Sequence, residues 1–436
     1  MKKLLLTKLF CLILMVSFAE GYQVNLQSAK QSGMGHTGVA LRLGAESMHF
    51  NPAGMAFMTS KFSFSAGLSG IFSTISYENL AGKSVDTDNS MSTPAFFYAA
   101  YKATDDLAFG LAFTTPYGSS LKWGDNWAGA HMVQDISLKA YYFQPTVSYK
   151  IADNLSIGAG MMIMAGSFDL NKGLTPVGAL AAMNPALSKY ADVVPGAVNL
   201  KGDAEIAYGF NVGILYDFND ALSFGLSYRS KMSAEVEKGE VKTSYYDAMT
   251  KGALFSNPQF AAVDGLMNAS TFTASLPMPA NTTFGVAYKA SEKLTLTADL
   301  QFVQWSEYED LQFDFTQAPD VTVDKDYDDT FVYRIGAEYV ANDMFTFRAG
   351  AYYDETPVNK LKYNPETPGM NKLGLTMGST ITLMKGLNVD LALTYINGAD
   401  IEATVKDPNM FNPDNSFAGT YSSVAFIPSV GISYNF

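Results

Sequence analysis

Residues 423–436 read Ser-Val-Ala-Phe-Ile-Pro-Ser-Val-Gly-Ile-Ser-Tyr-Asn-Phe. Val424, Phe426, Pro428, Val430, Ile432, Tyr434 and Phe436 fall on one parity; Ser423, Ala425, Ile427, Ser429, Gly431, Ser433 and Asn435 fall on the other. Successive side chains of a strand point to opposite faces, so this is a strand with one large apolar face and one small, mostly polar face. The alternation recurs in Leu222–Tyr228, Phe284–Tyr288, Phe331–Tyr339 and Leu387–Tyr395. Inward positions carry Arg229, Lys289, Asp299, Arg334, Glu338, Arg348 and Asp390. Apolar faces can meet each other in a soluble sandwich, or they can meet lipid in a barrel with aromatic girdles and a polar interior.

Working outward, strands are expected near 61–77, 92–103, 106–115, 135–151, 155–170, 200–218, 222–237, 272–290, 294–310, 330–340, 344–353, 372–383, 387–397 and 422–436. The links between them alternate in length. Short ones such as Thr104-Asp105, Ala152-Asp153-Asn154, Asn219-Asp220-Ala221 and Met384-Lys385-Gly386 use tight-turn residues. Long ones cover 78–91, 116–134, 171–199, 238–271, 311–329, 354–371 and 398–421. Bacterial outer-membrane barrels have an even strand number, short periplasmic turns and long outer loops. The expectation is an all-β, transmembrane antiparallel barrel of about fourteen strands over residues 61–436, closed so that lipid meets no open sheet edge.

Composition narrows the class. Of 436 residues, 16% are charged, 48% are hydrophobic and 13% are aromatic, which excludes a disordered chain. A net charge of −13 disfavours nucleic acid as a partner. Outside the N-terminus, the longest apolar run, about Leu155 to Phe168, is too short and too interrupted for a spanning helix. Lys2, Lys3 and Lys8, an apolar run from Leu9 to Phe18 and the small residues Ser17 and Ala19 spell a secretory signal peptide over 1–19. Cys11 lies inside that apolar run, which argues against a lipoprotein, and a single Cys excludes an internal disulfide.

Residues 20–60 lack the strand period. They are rich in glycine and hold Met34, Met48, Phe50, Met55 and Phe57. Forty residues could form a loose periplasmic tail; the apolar residues favour a hatch folded into the lumen instead.

Here the sequence resembles a known family. Tyr22-Gln23-Val24-Asn25, then Gly33-Met34-Gly35 with Gly38, then Asn51-Pro52-Ala53-Gly54-Met55 look like the N-terminal hatch of the FadL/TodX group of long-chain fatty-acid transporters. Trp305-Ser306, Phe347-Arg348-Ala349-Gly350 and Asp354-Glu355-Thr356-Pro357-Val358 are similar as well, in the same order along essentially the whole mature chain. The resemblance implies a fourteen-stranded barrel plugged by its N-terminal end. It implies passive uptake of hydrophobic compounds: capture in a groove of outer loops, transfer to an inner pocket, and release through an inward kink of the third strand. On that strand, Gly110 and Pro116 are where pairing could open, since proline cannot donate to a ladder. The groove would draw on loop 171–199, with Leu180, Met183 and Leu187, and on loop 238–271, with Leu254, Phe255 and Phe260. Exposed apolar patches mark interaction sites, although each loop could equally fold on its own small core.

The fifth strand puts Met162, Met164 and Phe168 on the inward parity, with Leu138 and Tyr142 on the fourth. Adaptable methionines suit a permissive apolar pocket; packing against the hatch is the competing reading. Fatty-acid members of the family are thought to hold the carboxylate with basic residues. At the corresponding place this chain offers Ser167 or Gly166, with Lys289, Arg334 and Arg348 inward elsewhere, which questions the fatty acid but not the transport class.

Catalysis finds no support: His36, His49 and His131 match no nucleophile–base motif, so no enzyme is expected. No cofactor or metal is expected either. The acidic run Asp320, Asp324, Asp326, Asp328, Asp329 lacks the spacing and glycine of a calcium loop and reads as a solvated outer loop that divalent ions could bridge to lipopolysaccharide. The expected partners are a hydrophobic small molecule, outer-membrane lipid and lipopolysaccharide, and, through the last strand ending in Phe436, the outer-membrane assembly machinery. The barrel is expected to act as a monomer. A non-transport scaffold in secretion or surface attachment is the alternative function.

Overall fold

The structure, a computed structural model, describes residues 21–174, 194–256, 258–406 and 416–436. Its strand segments form one continuous antiparallel sheet of twenty pieces. Four barrel strands are each interrupted once and two short pieces lie outside the barrel, so the wall has fourteen strands. They are β1 (Phe62–Ser69, resumed as Phe72–Asn79), β2 (Ala95–Lys102), β3 (Leu107–Lys122), β4 (Asp135–Ala152), β5 (Leu155–Gly173), β6 (Gly196–Asp217) and β7 (Leu222–Arg229, resumed as Met232–Tyr245). Then follow β8 (Thr271–Met278, resumed as Asn281–Lys289), β9 (Leu294–Val303, resumed as Asp310–Phe315), β10 (Thr330–Val340), β11 (Phe345–Asp354), β12 (Lys372–Met384), β13 (Leu387–Lys406) and β14 (Ser416–Asn435). The short additions are Ser84–Asp86 and Val321–Asp324. Pairing of Ser63–Ser69 with Asn435–Ser429 closes the barrel.

The parity read from the last strand is the wall's construction rule. Val424, Phe426, Val430, Ile432, Tyr434 and Phe436 are exposed on the outside, while Ile427, Ser429 and Ser433 are buried inside. Each outward apolar side chain gains free energy from lipid, whereas Arg or Lys there would cost about 2–4 kcal/mol at the bilayer midplane.

Several strands run further than the alternation indicates. β3 extends to Lys122, β6 begins at Gly196, β7 ends at Tyr245, and β13 and β14 continue as a paired ladder to Lys406 and Ser416. Backbone pairing continues wherever a partner strand is present, but the apolar alternation stops where lipid stops.

Residues 21–60 cross the lumen as short pieces: helix Ala29–Ser32, a 3₁₀ turn Gly44–Glu46, helix Ser47–Phe50 and a 3₁₀ turn Pro52–Phe57. Met34, Met48, Ala53 and Met55 are almost fully buried, worth about 1.5–3 kcal/mol for each methionine. Wall side chains satisfy the hatch backbone. Asp299 accepts from the Gly38 and Val39 N–H groups at 2.8 and 3.2 Å. The Gln144 and Asn211 amides donate to the Met48 carbonyl at 2.7 and 3.0 Å. The Ser148 and Ser156 hydroxyls donate to the Ala53 carbonyl, both at 2.9 Å. Asn51 caps Pro52–Phe57 by accepting from the Ala53 N–H, and its amide donates to the Val39 and Ile214 carbonyls.

Glycines provide the clearance. A Cβ at Gly158 or Gly213 would overlap Pro52 or Asn51, one at Gly350 would overlap Gly35, and one at Gly33 would press on the Gly378 backbone. Gly35 also needs its positive φ of +66°.

Candidate functional site

Above the hatch the lumen is apolar and aromatic. The β4–β5 register sets Tyr142 opposite Met164 and Leu138 opposite Phe168. Leu138, Tyr142, Met162 and Met164 are buried in one cluster, and Phe168 packs against it. The cluster also takes in Tyr22, Tyr117, Met232, Met278, Val303, Trp305 and Tyr308. The five sequence candidates are thus together, but only Leu138 lines the main cavity. Met162 instead accepts a weak hydrogen bond on its sulfur from Arg229 at 3.3 Å.

The cavity has a volume of about 620 Å³. Its walls include Tyr22, Val24 and Leu26 of the N-terminal segment, Ile75 of β1, Tyr117 and Leu121 of β3, and Leu138 of β4. It also touches Tyr141 and Met91, both of which are exposed on the exterior. The cavity therefore reaches the outer face of the wall.

The reason lies in the first three strands. β1 pairs with β2 only over Phe62–Leu68, then breaks at Gly70-Ile71, and its outer half pairs with β14 alone among the barrel strands. β2 begins at Ala95, after Pro94. β3 pairs with β2 up to Thr114, and its ladder with β4 shifts register between Thr114 and Tyr117, at Thr115-Pro116. Beyond that point the free edge of β3 is covered by the N-terminal segment. The Val24 N–H donates to the Pro116 carbonyl at 2.8 Å and the Gly118 N–H to the Tyr22 carbonyl at 2.9 Å. Gln23 and Tyr117 form an antiparallel bridge. Gly110 plays another part: its ladders to Ala100 and Thr146 are unbroken, and a Cβ there would stand 2.5 Å from the Met48 sulfur.

Two prolines that the sequence reading passed over help to hold this segment in place. Pro277 and Pro279 lack N–H donors, and β8 has no pairing with β9 between Ala274 and Asn281. Their carbonyls accept instead from the Tyr22 and Tyr117 hydroxyls, the latter at 3.2 Å. β9 detours there through the 3₁₀ turn Trp305–Glu307, which lays Trp305 edge-on to Tyr22 with ring centroids 5.1 Å apart. The Pro-X-Pro spacing inside a strand was the available sequence signal.

The acidic outer loop also conceals a buried cation. Lys325 is 1% exposed, 3.6 Å from Glu366, which also pairs with Lys172. Burial pulls Lys325 below the usual lysine range despite Glu366. Burial works to raise Glu366, but the charges of Lys172 and Lys325 outweigh it and hold its carboxyl below the ordinary range. The neighbouring Thr367 and Pro368 line the cavity.

Of the candidate groove residues, Leu254 is buried and Phe255 stacks edge-on with Tyr245 at 5.4 Å. Met249 and Leu266 on the same helical hairpin are exposed. Leu180, Met183 and Leu187 lie outside the described residues, as does the side chain of Phe260. The inward cations have partners of their own: Arg348 pairs with Glu338 at 2.7 Å, and Arg334 donates to Gln301 at 2.7 Å. Lys289 is exposed.

Residues 11–436 match the family model described as outer membrane protein transport protein (OMPP1/FadL/TodX). The long-chain fatty acid transport protein of Salmonella typhi is 25% identical over 433 residues, 94% of this chain and 95% of that protein. The fold is similar to the crystal structure of a Pseudomonas aeruginosa FadL homologue, with a TM-score of 0.82 at 20% identity, covering 96% of this chain and 100% of that one. It is also similar to the toluene transporter TodX of P. putida, with a TM-score of 0.69 at 20% identity, covering 96% and 99%. The Salmonella typhi and P. putida proteins are named as transporters. With a closed barrel, a lumenal hatch and a match over nearly its whole length, the chain belongs to the FadL/TodX family of bacterial outer-membrane transport proteins.

Proposed function

We propose that this protein carries hydrophobic compounds such as long-chain fatty acids across the outer membrane by passive diffusion. Ligand collects at the outer loops, enters the 620 Å³ cavity and leaves sideways into the bilayer where β2 and β3 part at Pro116. The observation that carries this reading is the coincidence of three features: the cavity, the interrupted wall and the Tyr22–Val24 strap that covers the interruption. A hydrophobic solute released there meets acyl chains and never has to cross the polar hatch layer. The barrel works as a monomer in contact with lipid and lipopolysaccharide, and its strand ending in Phe436 is what the assembly machinery reads.

Native mass spectrometry of the purified protein, with extraction of whatever co-purifies, tests this. A bound apolar molecule is expected in the wild type and is expected to be lost from Leu138→Asp, which places a charge in the cavity wall. No ligand, together with a stoichiometric protein partner, would overturn transport in favour of a scaffold.

A further inference from the structure

The wall leaves a slot between the outer halves of β1 and β3, because β2 begins only at Ala95. The N-terminal strap covers the β3 edge of that slot. A second piece of chain fills it: residues 87–94, Thr-Asp-Asn-Ser-Met-Ser-Thr-Pro. Every residue from Asn89 to Pro94 lines the 620 Å³ cavity, and Ser90, Met91 and Thr93 are exposed. This single layer of peptide is the side wall of the cavity.

Its two edges are held unequally. Towards β1 it is attached at four residues. The Thr87 N–H donates to the Ile75 carbonyl at 2.9 Å, and the Asn89 amide donates to the Ser73 carbonyl at 3.1 Å. Ile71 and Ser92 exchange N–H to carbonyl bonds at 2.8 and 3.3 Å, and the Ser69 N–H donates to the Pro94 carbonyl at 3.0 Å. Towards β3, among the described residues, it is attached only at Lys122. The Asp88 N–H donates to the Lys122 carbonyl, and the Lys122 N–H donates to the Asn89 side-chain oxygen, both at 2.8 Å. The Asp88–Lys122 ion pair beside them is 3.7 Å long and exposed, so it adds little. Asn89 thus spans the slot with one side chain, where a continuous wall would use a strand.

The segment also sits at lipid depth. Ile71, its partner, precedes Phe72, which pairs with Phe426, and both phenylalanines are exposed on the outer face. Hydroxyl and amide groups gain nothing from acyl chains, so the segment stays in place through its hydrogen bonds rather than its surroundings. Met91 is the apolar contact, seated where a Cβ on Gly70 would stand 3.2 Å from its sulfur.

We propose that residues 87–94 are an outer shutter over the side exit, hinged on β1 and opening away from β3, with Asn89 as its latch. The proposal rests on the transport reading above and goes beyond it: release requires the shutter to move as well as the strap. Parting from β3 breaks the bonds at one residue, whereas parting from β1 breaks them at four.

Uptake of the neutral dye N-phenyl-1-naphthylamine, which fluoresces on reaching lipid, tests this in cells carrying the full barrel in an intact lipopolysaccharide leaflet. Barrel folding is checked by heat-modifiable gel migration and cross-linking by mass. Asp88→Cys/Lys122→Cys ties the shutter to β3 where the two side chains already meet. Once oxidised, it is expected to lower uptake more than tenfold, with recovery on reduction. Ile71→Cys/Ser92→Cys ties the shutter to β1 through a directly paired couple, within the range a disulfide spans. It is expected to leave uptake unchanged. Asn89→Ala is expected to raise uptake about three- to tenfold, the weight of the one hydrogen bond that resists opening. Entry of the polar probe nitrocefin should stay at the wild-type level, which separates a freed shutter from a general leak. Equal uptake by oxidised and reduced Asp88→Cys/Lys122→Cys overturns the proposal, as does a loss of uptake in oxidised Ile71→Cys/Ser92→Cys. A wild type that admits the dye no faster than cells lacking the protein overturns the transport reading itself.

Discussion

Two stretches of the same wall are built differently. On one side, β13 and β14 pair from Leu387–Tyr434 to Lys406–Ser416 with a single irregularity, between Gly398 and Ile401. On the other, β1, β2 and β3 pair fully only in the hatch-side half, and the outer half of β3 leans on the N-terminal strap instead. The first stretch is held by its own backbone, as a lipid-facing sheet must be. The second is held by groups that can let go: two backbone hydrogen bonds to the strap, the Tyr22 hydroxyl on Pro277, and outer-loop contacts such as the Trp123 indole on the Pro365 carbonyl at 3.0 Å. A barrel can thus be closed all the way round yet have one place where closure is supplied by a removable piece.

The sharpest way to break the comparison is to make that piece permanent. Gln23 and Tyr117 oppose each other in an antiparallel bridge. Such residues have Cα atoms about 4.5–5.5 Å apart, inside the range a disulfide spans. Oxidised Gln23→Cys/Tyr117→Cys is expected to lower fatty-acid uptake more than tenfold, with recovery on reduction. The matching cross-link in the continuous wall, Ala392→Cys/Ser429→Cys, joins a directly paired couple and is expected to change uptake little. Equal effects from both cross-links would mean that the strap is not the moving part.

Next in size is the brace over the outer end of β3. Glu366→Leu leaves Lys172 and Lys325 without their shared carboxylate, at a cost of about 3–5 kcal/mol for breaking a buried pair, read as a lower urea midpoint. Glu366 also sets a pH dependence. Because its folded-state pKa is depressed from the ordinary 4.5, its contribution is present above that value and is lost as pH falls through the folded pKa. The wild-type midpoint is expected to fall in that acid window, and that part of the fall should be missing from Glu366→Leu. A smaller loss, about 1–3 kcal/mol from overpacking, is expected for Gly158→Val, whose side chain would run into Pro52. Single-channel recording should then show ion leakage past a displaced hatch. A tight, silent channel would show that the hatch can yield without leaving the wall.

How much of this was legible beforehand follows from the range of each interaction. Parity is local, so the wall, the inward faces and the joint placement of Leu138, Tyr142, Met162, Met164 and Phe168 could be read from the strand period. The glycines of the hatch were visible as a class, but their use was not: Gly110 looked like a place for β3 to open and instead makes room for Met48. The strap's anchors were hidden because Tyr22 meets Pro277 across 255 residues. Lys325 was hidden for a different reason. A lysine in an acidic run looks solvated, and only the fold brings Glu366 from the next long loop to bury it.

The smallest effect tests whether the interruption is written into the strands or imposed by the strap. Pro116 and Pro94 stand at the same junction: β2 starts immediately after Pro94, and Thr115 contacts the Ala95 N–H through its hydroxyl at 3.3 Å rather than through its carbonyl. Neither proline can donate to a ladder. Pro116→Ala restores one donor while Pro94 still blocks β2, so uptake is expected to fall only about two- to threefold, a change of less than ~1 kcal/mol. Pro94→Ala/Pro116→Ala restores both donors, and β2–β3 pairing should then lengthen, seen as slower amide exchange at Tyr117 and Gly118 and a larger loss of uptake. If the double variant transports like the wild type, the prolines are incidental, and the strap alone, by occupying the edge of β3, keeps the two strands apart.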